Sequence, residues 1–561
     1  MKVLLVAINA KYIHSNLAVF TLRDYVKAAG EEVEVAEYTI NQLPFEILRD
    51  IYEKKPDVVA FSSYIWNIST VLWLTKHLKK VAKDITIWLG GPEASYDAKR
   101  LLIEYQELDL IMVGEGEQTF LELLQRKPLA SIQSIVYREL EEIKVNPLRE
   151  PMSLNEVPFV YEDLSPFENK IIYYETSRGC PFSCSYCLSS IDKKVRLRDF
   201  SLVEKELQFF LDHKVKQVKF VDRTFNCNRA HTMAILKYIL EHDNGVTNFH
   251  FEVSADLLSE EELAVMSKMR PGLIQLEIGV QSTNSATIKE IDRTMNLDKL
   301  KQVVNQIHSM NNIHQHLDLI VGLPFEDYDT FIHSFNEVYA MRPNQLQMGF
   351  LKVLKGSKIY EKHREYEIVY SDTVPYEVMA TKWVTFEEVL TLKSVEEMLE
   401  VYYNSNQFTH TLPYLEPFFS SPFELFLQLY GYYKKKNLLG LKFTRVARYD
   451  ILRDFAKENL DIALEYLEEL LVFDLYLREK LKKPPVWKKD ISLSKKELRA
   501  LQDAYQFKES GKMTHIEVFS YDMRSIEQPK KSSQVIIFDY SKRNPLTNEA
   551  SVVVVEDFDY E

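Results

Sequence analysis

From Lys2 to about residue 126 the chain alternates short, almost unbroken apolar runs with stretches of helical periodicity. The runs 2–8, 32–38, 58–63, 85–89 and 110–113 predict strands, and the stretches near 17–29, 44–54, 68–82, 97–105 and 117–126 predict helices. Strands apolar on both faces imply an open parallel α/β sheet of Rossmann-like form, with ligands at the strands' carboxyl ends. The opening run Met-Lys-Val-Leu-Leu-Val-Ala ends at Asn9 without a small-residue cleavage site, so it is read as a first strand and not as a signal peptide. Residues 134–138 and 143–147 predict a hairpin, and Pro151, Pro158 and Pro166 an extended linker. From Ile171 the alternation resumes with strands at 171–177, 216–222, 248–254, 273–280, 314–321 and 345–351 and helices near 200–213, 229–242, 259–269, 286–309 and 327–339. Six such units predict a partial barrel with its chemistry at the carboxyl rim.

Beyond residue 360 aromatic residues from Tyr402 to Tyr433 recur on helical patterns, which reads first as core and otherwise as a helical cap lining a substrate cavity. The runs 534–540 and 551–556 predict a hairpin around Asn544–Asn548. The expected division is 1–130, a Rossmann-like domain; 131–167, hairpin and linker; 168–360, the partial barrel; and 361–561, a mostly helical domain.

A length of 561 residues allows about three domains, and 46% apolar residues suffice for ordinary cores. The net charge of −14 argues against nucleic acid as an obligate partner. No apolar run reaches the length of a membrane span, and four cysteines in so long a chain suit a reducing compartment, so the cytoplasm is the expected location.

Three of those four cysteines lie in Cys180-Pro-Phe-Ser-Cys184-Ser-Tyr-Cys187, directly after Glu175-Thr-Ser-Arg178-Gly179. Thiolates ligate iron-sulfur clusters, and a cubane needs four, so three local cysteines leave one iron open. Zinc would want a fourth Cys or His nearby, and His213 and Cys227 are distant; disulfides would want an oxidising compartment. The spacing C-x3-C-x2-C after Arg-Gly resembles the signature of the radical S-adenosylmethionine (SAM) enzymes. The resemblance implies a [4Fe-4S] cluster on Cys180, Cys184 and Cys187, SAM chelated by the open iron, reductive cleavage of SAM to a 5′-deoxyadenosyl radical, and an external electron donor such as flavodoxin or ferredoxin.

Ahead of this loop, Gly90-Gly91-Pro92-Glu93 and Gly114-Glu115-Gly116-Glu117 follow strands, as do Ser62-Ser63 and a loop bearing His14. Together they resemble the cobalamin-binding domain of B12-dependent radical SAM enzymes. That resemblance implies cobalamin held at His14, Ser62, Ser63, Gly90, Gly91, Glu93, Gly114, Glu115 and Gly116. The chain lacks the Asp-x-His-x-x-Gly motif of methionine-synthase-type domains. His14 is thus read either as cobalt's axial ligand or as a solvated or capping residue, and cobalamin does not depend on it. At the barrel strand ends, the same resemblance assigns Asp222, Glu252, Ser254, Glu277, Gln281 and Gly322 to SAM; each alone could be a buried polar group at a barrel rim. Cys227 is a candidate catalytic thiol or a small buried hydrophobe.

The implied activity is methylation of an unactivated carbon through the 5′-deoxyadenosyl radical and methylcobalamin. Rearrangement or cyclisation without methyl transfer uses the same cofactors, and a non-catalytic cobalamin/SAM sensor would cleave no SAM. Methylthiolation fits less well, since relatives performing it ligate an extra cluster in the N-terminal domain, where residues 1–179 contain no Cys. The C-terminal extension resembles the domain of unknown function carried by one bacterial subgroup of these enzymes.

Overall fold

A computed structural model describes residues 1–489, 493–505, 513–525 and 529–555. Strands β1 (Val3–Asn9), β2 (Glu34–Thr39), β3 (Val58–Ser62), β4 (Thr86–Gly90) and β5 (Leu110–Met112) pair in parallel. With β6 (Ile135–Glu139) and β7 (Glu142–Val145) they make a seven-stranded sheet of order β2-β1-β3-β4-β5-β6-β7. All seven residues of β1 are buried, as an apolar run covered on both faces requires. The hairpin expected beside the linker is instead the antiparallel edge of this sheet, because Ile135, Val136 and Tyr137 bury their side chains against it.

Short strands β8 (Ile172–Tyr174), β9 (Ser177–Arg178) and β10 (Arg196–Leu197) precede β11 (Gln217–Phe220), β12 (Asn248–Val253), β13 (Ile274–Gln281), β14 (His314–Val321) and β15 (Gln345–Phe350). Six of them form one all-parallel sheet, β15-β14-β13-β12-β11-β8, the partial barrel. Along β13 buried Ile274, Leu276, Ile278 and Val280 alternate with half-buried Gln275, Glu277, Gly279 and Gln281. Apolar side chains therefore face the outer helices and polar ones the interior. The helix expected over 286–309 is broken into Ser285–Glu290 and Leu297–Met310, since Asp292 takes φ +52° and Asn296 caps the second helix by accepting from the Lys299 amide at 3.0 Å.

Residues beyond 360 begin with a small hairpin, β16 (Val369–Tyr370) and β17 (Val378–Ala380). Helices 386–399, 422–435, 445–459 and 464–478 follow, then an antiparallel sheet of β18 (Thr514–Tyr521), β19 (Lys531–Arg543) and β20 (Ala550–Val555). The expected hairpin corresponds to β19 and β20, except that Glu556 lies outside the described residues; β18 is a further strand. The aromatic residues are core: Tyr402, Tyr449 and Tyr466 are fully buried, and Phe423 and Phe426 meet Phe335 of the barrel's helix 328–339 at ring distances of 5.4 and 6.2 Å. This bundle thus packs on the outside of the barrel, and the alternative of a helical cap lining the cavity is not what these rings do. No helix among the described residues is long and apolar enough to cross a membrane.

Candidate functional site

The cysteine loop leaves the barrel after β9, whose two residues pair with Arg196 and Leu197 of β10. The Cys180 amide donates to the Asp192 carbonyl at 2.9 Å and the Ser185 amide to the Ile291 carbonyl at 2.9 Å, so the backbone holds the loop whatever its thiols carry. Cys180 and Cys184 are buried and Cys187 is half-buried; none is in a disulfide. Polar groups meet the sulfurs: Thr224 Oγ1 lies 3.8 Å from Cys180 Sγ, and Arg293 Nη1 3.7 Å from Cys184 Sγ and 3.2 Å from the Tyr186 hydroxyl. Burial works against the charge of Arg293, yet Tyr186 and Cys184 raise its pKa above the usual value. Among the described residues no three His, Cys, Asp or Glu side chains converge on a single metal ion. A cubane asks for something else, one thiolate on each of three separate irons, and three neighbouring Cys with the Arg293 guanidinium at one sulfur fit it.

The carboxyl ends of β1, β3, β4 and β5 face this loop. Arg178, two residues before Cys180, donates to Glu175 at 3.0 and 2.8 Å and to Glu117 at 3.1 Å, and its guanidinium lies 3.3 Å from Glu115. Burial pulls the Arg178 pKa down, but Glu175 and Glu117 more than offset it and hold it well above the usual value. Arg196 reaches Glu115 at 2.6 Å. Glu115, expected against cobalamin, is therefore engaged by two arginines of the barrel domain. Glu93 likewise accepts from the Tyr376 hydroxyl, joining the N-terminal domain to the β16–β17 hairpin, and burial raises its pKa. His14 Nδ1 lies 2.6 Å from the Tyr173 hydroxyl, and burial, then Lys11 and Lys219, lower its pKa, which keeps the ring neutral and able to ligate.

Ser62 Oγ accepts from the Asn16 side-chain amide at 2.8 Å, whereas the buried Ser63 hydroxyl has no partner among the described residues. Tyr12, Ile13, Trp66 and Tyr96 stand exposed around the same strand ends, an apolar face that suits a large flat cofactor. A Cβ on Gly90 would meet Met112 at 3.3 Å, and one on Gly116 would meet Leu22 at 3.3 Å. Gly91 has φ +100°, and a Cβ there would sit 2.5 Å from the Ser63 carbonyl oxygen; Gly114 has φ +76° but nothing within 4 Å. Gly91→Ala should therefore destabilise the fold by about 3 kcal/mol or more, combining strain with overpacking, and Gly114→Ala by about 1 kcal/mol. Denaturant midpoints measure both, and a Gly114 variant with weakened cobalamin uptake at nearly unchanged stability would mark an approach of the cofactor.

The interior of the barrel carries a connected polar row. Lys219 and His250 both donate to Glu277, each at 3.0 Å, and Gln275 donates to His250 at 2.6 Å. The His250 bond, then Lys219, hold Glu277 at a pKa of about 2, against an ordinary 4.5. A depressed carboxyl adds stability that is full above the unfolded value and lost as pH falls through the folded one. Glu277→Gln should therefore flatten the loss of stability between pH 4.5 and 2, read from denaturant midpoints across that range. Glu252, on the same face, has burial and Glu277 pushing it up to about 7. Gln281, in left-handed backbone at φ +73°, leaves its buried side-chain oxygen without a partner among the described residues. These two free acceptors are where a ligand's donors would fit. Ser254 donates to Asp256 at 2.7 Å, and Gly322 packs under Val378.

Asp222, assigned to SAM on the resemblance, has a wholly buried side chain that accepts from the Thr176 amide at 2.7 Å and the Thr176 hydroxyl, while burial raises its pKa to about 6. It fastens the segment that leads into the cysteine loop. Burial, then Asp222 and Cys180, push the Cys227 thiol up to about 11, away from the thiolate form.

Three family models match consecutive parts of this architecture: the B12 binding domain over residues 3–124, the radical SAM superfamily over 174–338, and a protein of unknown function, DUF4080, over 364–538. The chain is a B12-binding radical SAM protein. It is 26% identical over 309 residues to the cobalamin-dependent radical SAM methyltransferase TokK of Streptomyces tokunonensis, a match covering 49% of this chain and 44% of that protein. With the anaerobic magnesium-protoporphyrin IX monomethyl ester cyclase of Rubrivivax gelatinosus it shares 24% identity over 367 residues, 61% of this chain and 65% of the cyclase. The fold resembles the cobalamin-dependent SAM radical enzyme OxsB at a TM-score of 0.57 and 17% identity, covering 84% of this chain and 78% of OxsB. It also resembles the radical SAM methyltransferase TsrM of Kitasatospora setae at 0.54 and 16%, covering 67% and 80%.

The residue that the B12 radical SAM reading missed is Arg293. It lies in the break of a helix that the sequence pattern ran straight through, and the signal was the pair Asp292 and Asn296, a turn former and a cap inside the run.

Proposed function

We propose that this cobalamin-dependent radical SAM enzyme methylates an unactivated carbon of its substrate. The observation that carries the reading is the junction itself: the B12-binding strand ends are clamped against the three-cysteine loop by Arg178, Glu115 and Glu117. When bound, the cluster with SAM supplies a hydrogen-abstracting radical and cobalamin supplies a methyl group. Cys180, Cys184 and Cys187 would hold the cluster, with Arg293 balancing negative charge at Cys184. Tyr96, whose pKa is raised by burial and then by nearby Cys187, brings the N-terminal domain to the edge of the loop. Glu252 and Gln281 would accept hydrogen bonds from SAM or substrate. An external one-electron donor such as flavodoxin or ferredoxin is the partner this chemistry requires.

Cyclisation without methyl transfer is the second reading, favoured by the longer span shared with the cyclase. Anaerobic reconstitution with hydroxocobalamin and methyl-deuterated SAM separates the two. Label passing to a small-molecule product supports methylation. Steady 5′-deoxyadenosine with no label in any product overturns it in favour of cyclisation, and absence of SAM cleavage overturns both.

A further inference from the structure

At the end of the barrel opposite the cysteine loop, the amino ends of β11 to β14 surround a half-open cleft of about 610 Å³. Its roof is the turn Pro545-Leu546, which belongs to the C-terminal sheet and which nothing in the B12 radical SAM reading uses. That turn is rigid: Asn544 accepts from the Leu546 amide at 2.8 Å, the Asn544 amide donates to Glu549 at 2.9 Å, and Arg478 donates to the Thr547 carbonyl. It lies close on the barrel, since a Cβ on Gly272 would sit 3.1 Å from Pro545. None of the residues lining the cleft is acidic, in a chain of net charge −14. The lining instead offers Lys216, Arg270, His314, and the side-chain amides of Gln217 and Asn248, of which Gln217 already donates to Asn248 at 3.4 Å and Asn248 to the Gly272 carbonyl at 2.9 Å, leaving each amide its second N–H. Arg270 is largely engaged by Asp243, at 3.0 and 2.8 Å, but among the described residues Lys216 forms no ion pair and the His314 side chain no hydrogen bond.

We propose that this cleft is a second ligand site, which takes a small organic oxyanion, a carboxylate or a phosphate, between the barrel and the C-terminal sheet. The Lys216 ammonium supplies the charge, His314 and the remaining N–H of each amide supply directed donors, and the turn, held by its hydrogen bonds, closes the site from above. A volume of about 610 Å³ admits an anion as large as a nucleotide. Gln275 forms the cleft's inner wall and is bonded to His250 and through it to Glu277, so an occupant touches the same polar row that lines the reaction chamber. Such a site gives the C-terminal domain a purpose the radical chemistry alone does not.

The test uses the full chain and two probes, inorganic phosphate and succinate, each titrated by calorimetry and by thermal melting at fixed ionic strength against chloride. Lys216 is exposed, so Lys216→Glu should fold, which its melting in chloride checks; Lys216→Gln is the milder companion. Phosphate or succinate should stabilise the wild type beyond chloride. The affinity should fall about tenfold in Lys216→Glu, where attraction becomes repulsion, and less in Lys216→Gln. Preference for one probe tells phosphate from carboxylate, and either supports the site. Equal binding by wild type and Lys216→Glu would overturn it, as would no effect of either probe beyond chloride. None of these readouts needs cluster, SAM or cobalamin, so the B12 radical SAM reading stands or falls separately.

Discussion

With alanine at Cys180, Cys184 and Cys187 together, the protein stays folded, holds iron at background level and forms no 5′-deoxyadenosine under reductant. The fold survives because the loop's course is set by its backbone. Cys180 is bonded to Asp192, Ser185 to Ile291, and Ile359 to Ser185 at 3.0 Å, and none of these involves a sulfur. Each substitution removes one sulfur, buried at Cys180 and Cys184 and half-buried at Cys187, a cost of about 1 kcal/mol per site at most. The activity does not survive, because the variant keeps a single cysteine, Cys227, and one thiolate cannot hold a cubane. Iron content, visible absorption and product formation after anaerobic reconstitution read the result. Cobalamin uptake serves as the internal control, since the exposed apolar face at Tyr12, Trp66 and Tyr96 belongs to another domain. A triple variant that still bound iron and cleaved SAM would remove the cluster from this loop.

The cysteine loop was legible because its ligands are neighbours in sequence, so their spacing alone carries the geometry. The strands were legible for a related reason: a parallel sheet buried on both faces must be written as apolar runs, and β1 and β3 are. What the sequence left illegible shares a cause too. Arg293 meets Cys184 across 109 residues of chain, and no local pattern records that encounter. Glu93 and Glu115 sit at strand ends where a ligand is expected, but the sequence does not say that Tyr376, Arg178 and Arg196 arrive there first. Asp222 stands beside the rim in sequence, yet its side chain turns inward to Thr176. Strand β18 was overlooked because polar His515 and Glu517 interrupt its apolar pattern.

The larger effect on stability belongs to Arg178. Replacing it with methionine should destabilise the junction by about 3–5 kcal/mol, the cost of stranding buried charge once its partner is removed. Glu175, Glu117 and Glu115 all face this guanidinium, and they do not suffer equally. Glu115 keeps Arg196 at 2.6 Å, but Glu117 is only 7% exposed in its side chain and has one oxygen without a partner even now. Glu117 is therefore the residue that suffers, and Glu117→Gln in the Arg178→Met background should recover about 1–3 kcal/mol. By contrast, Arg229→Ala removes a pair exposed at 59% and 76% and should cost no more than about 1 kcal/mol. In a chain of several domains the first unfolding transition is the one to follow, by denaturant and by proteolysis of the linker between Val145 and Ile172. If Arg178→Met unfolded at the wild-type midpoint, the junction would not be held by this cluster. If instead the N-terminal domain came loose while each domain stayed folded, cobalamin and cluster could both be loaded without facing one another, and loss of product at full cofactor content would follow.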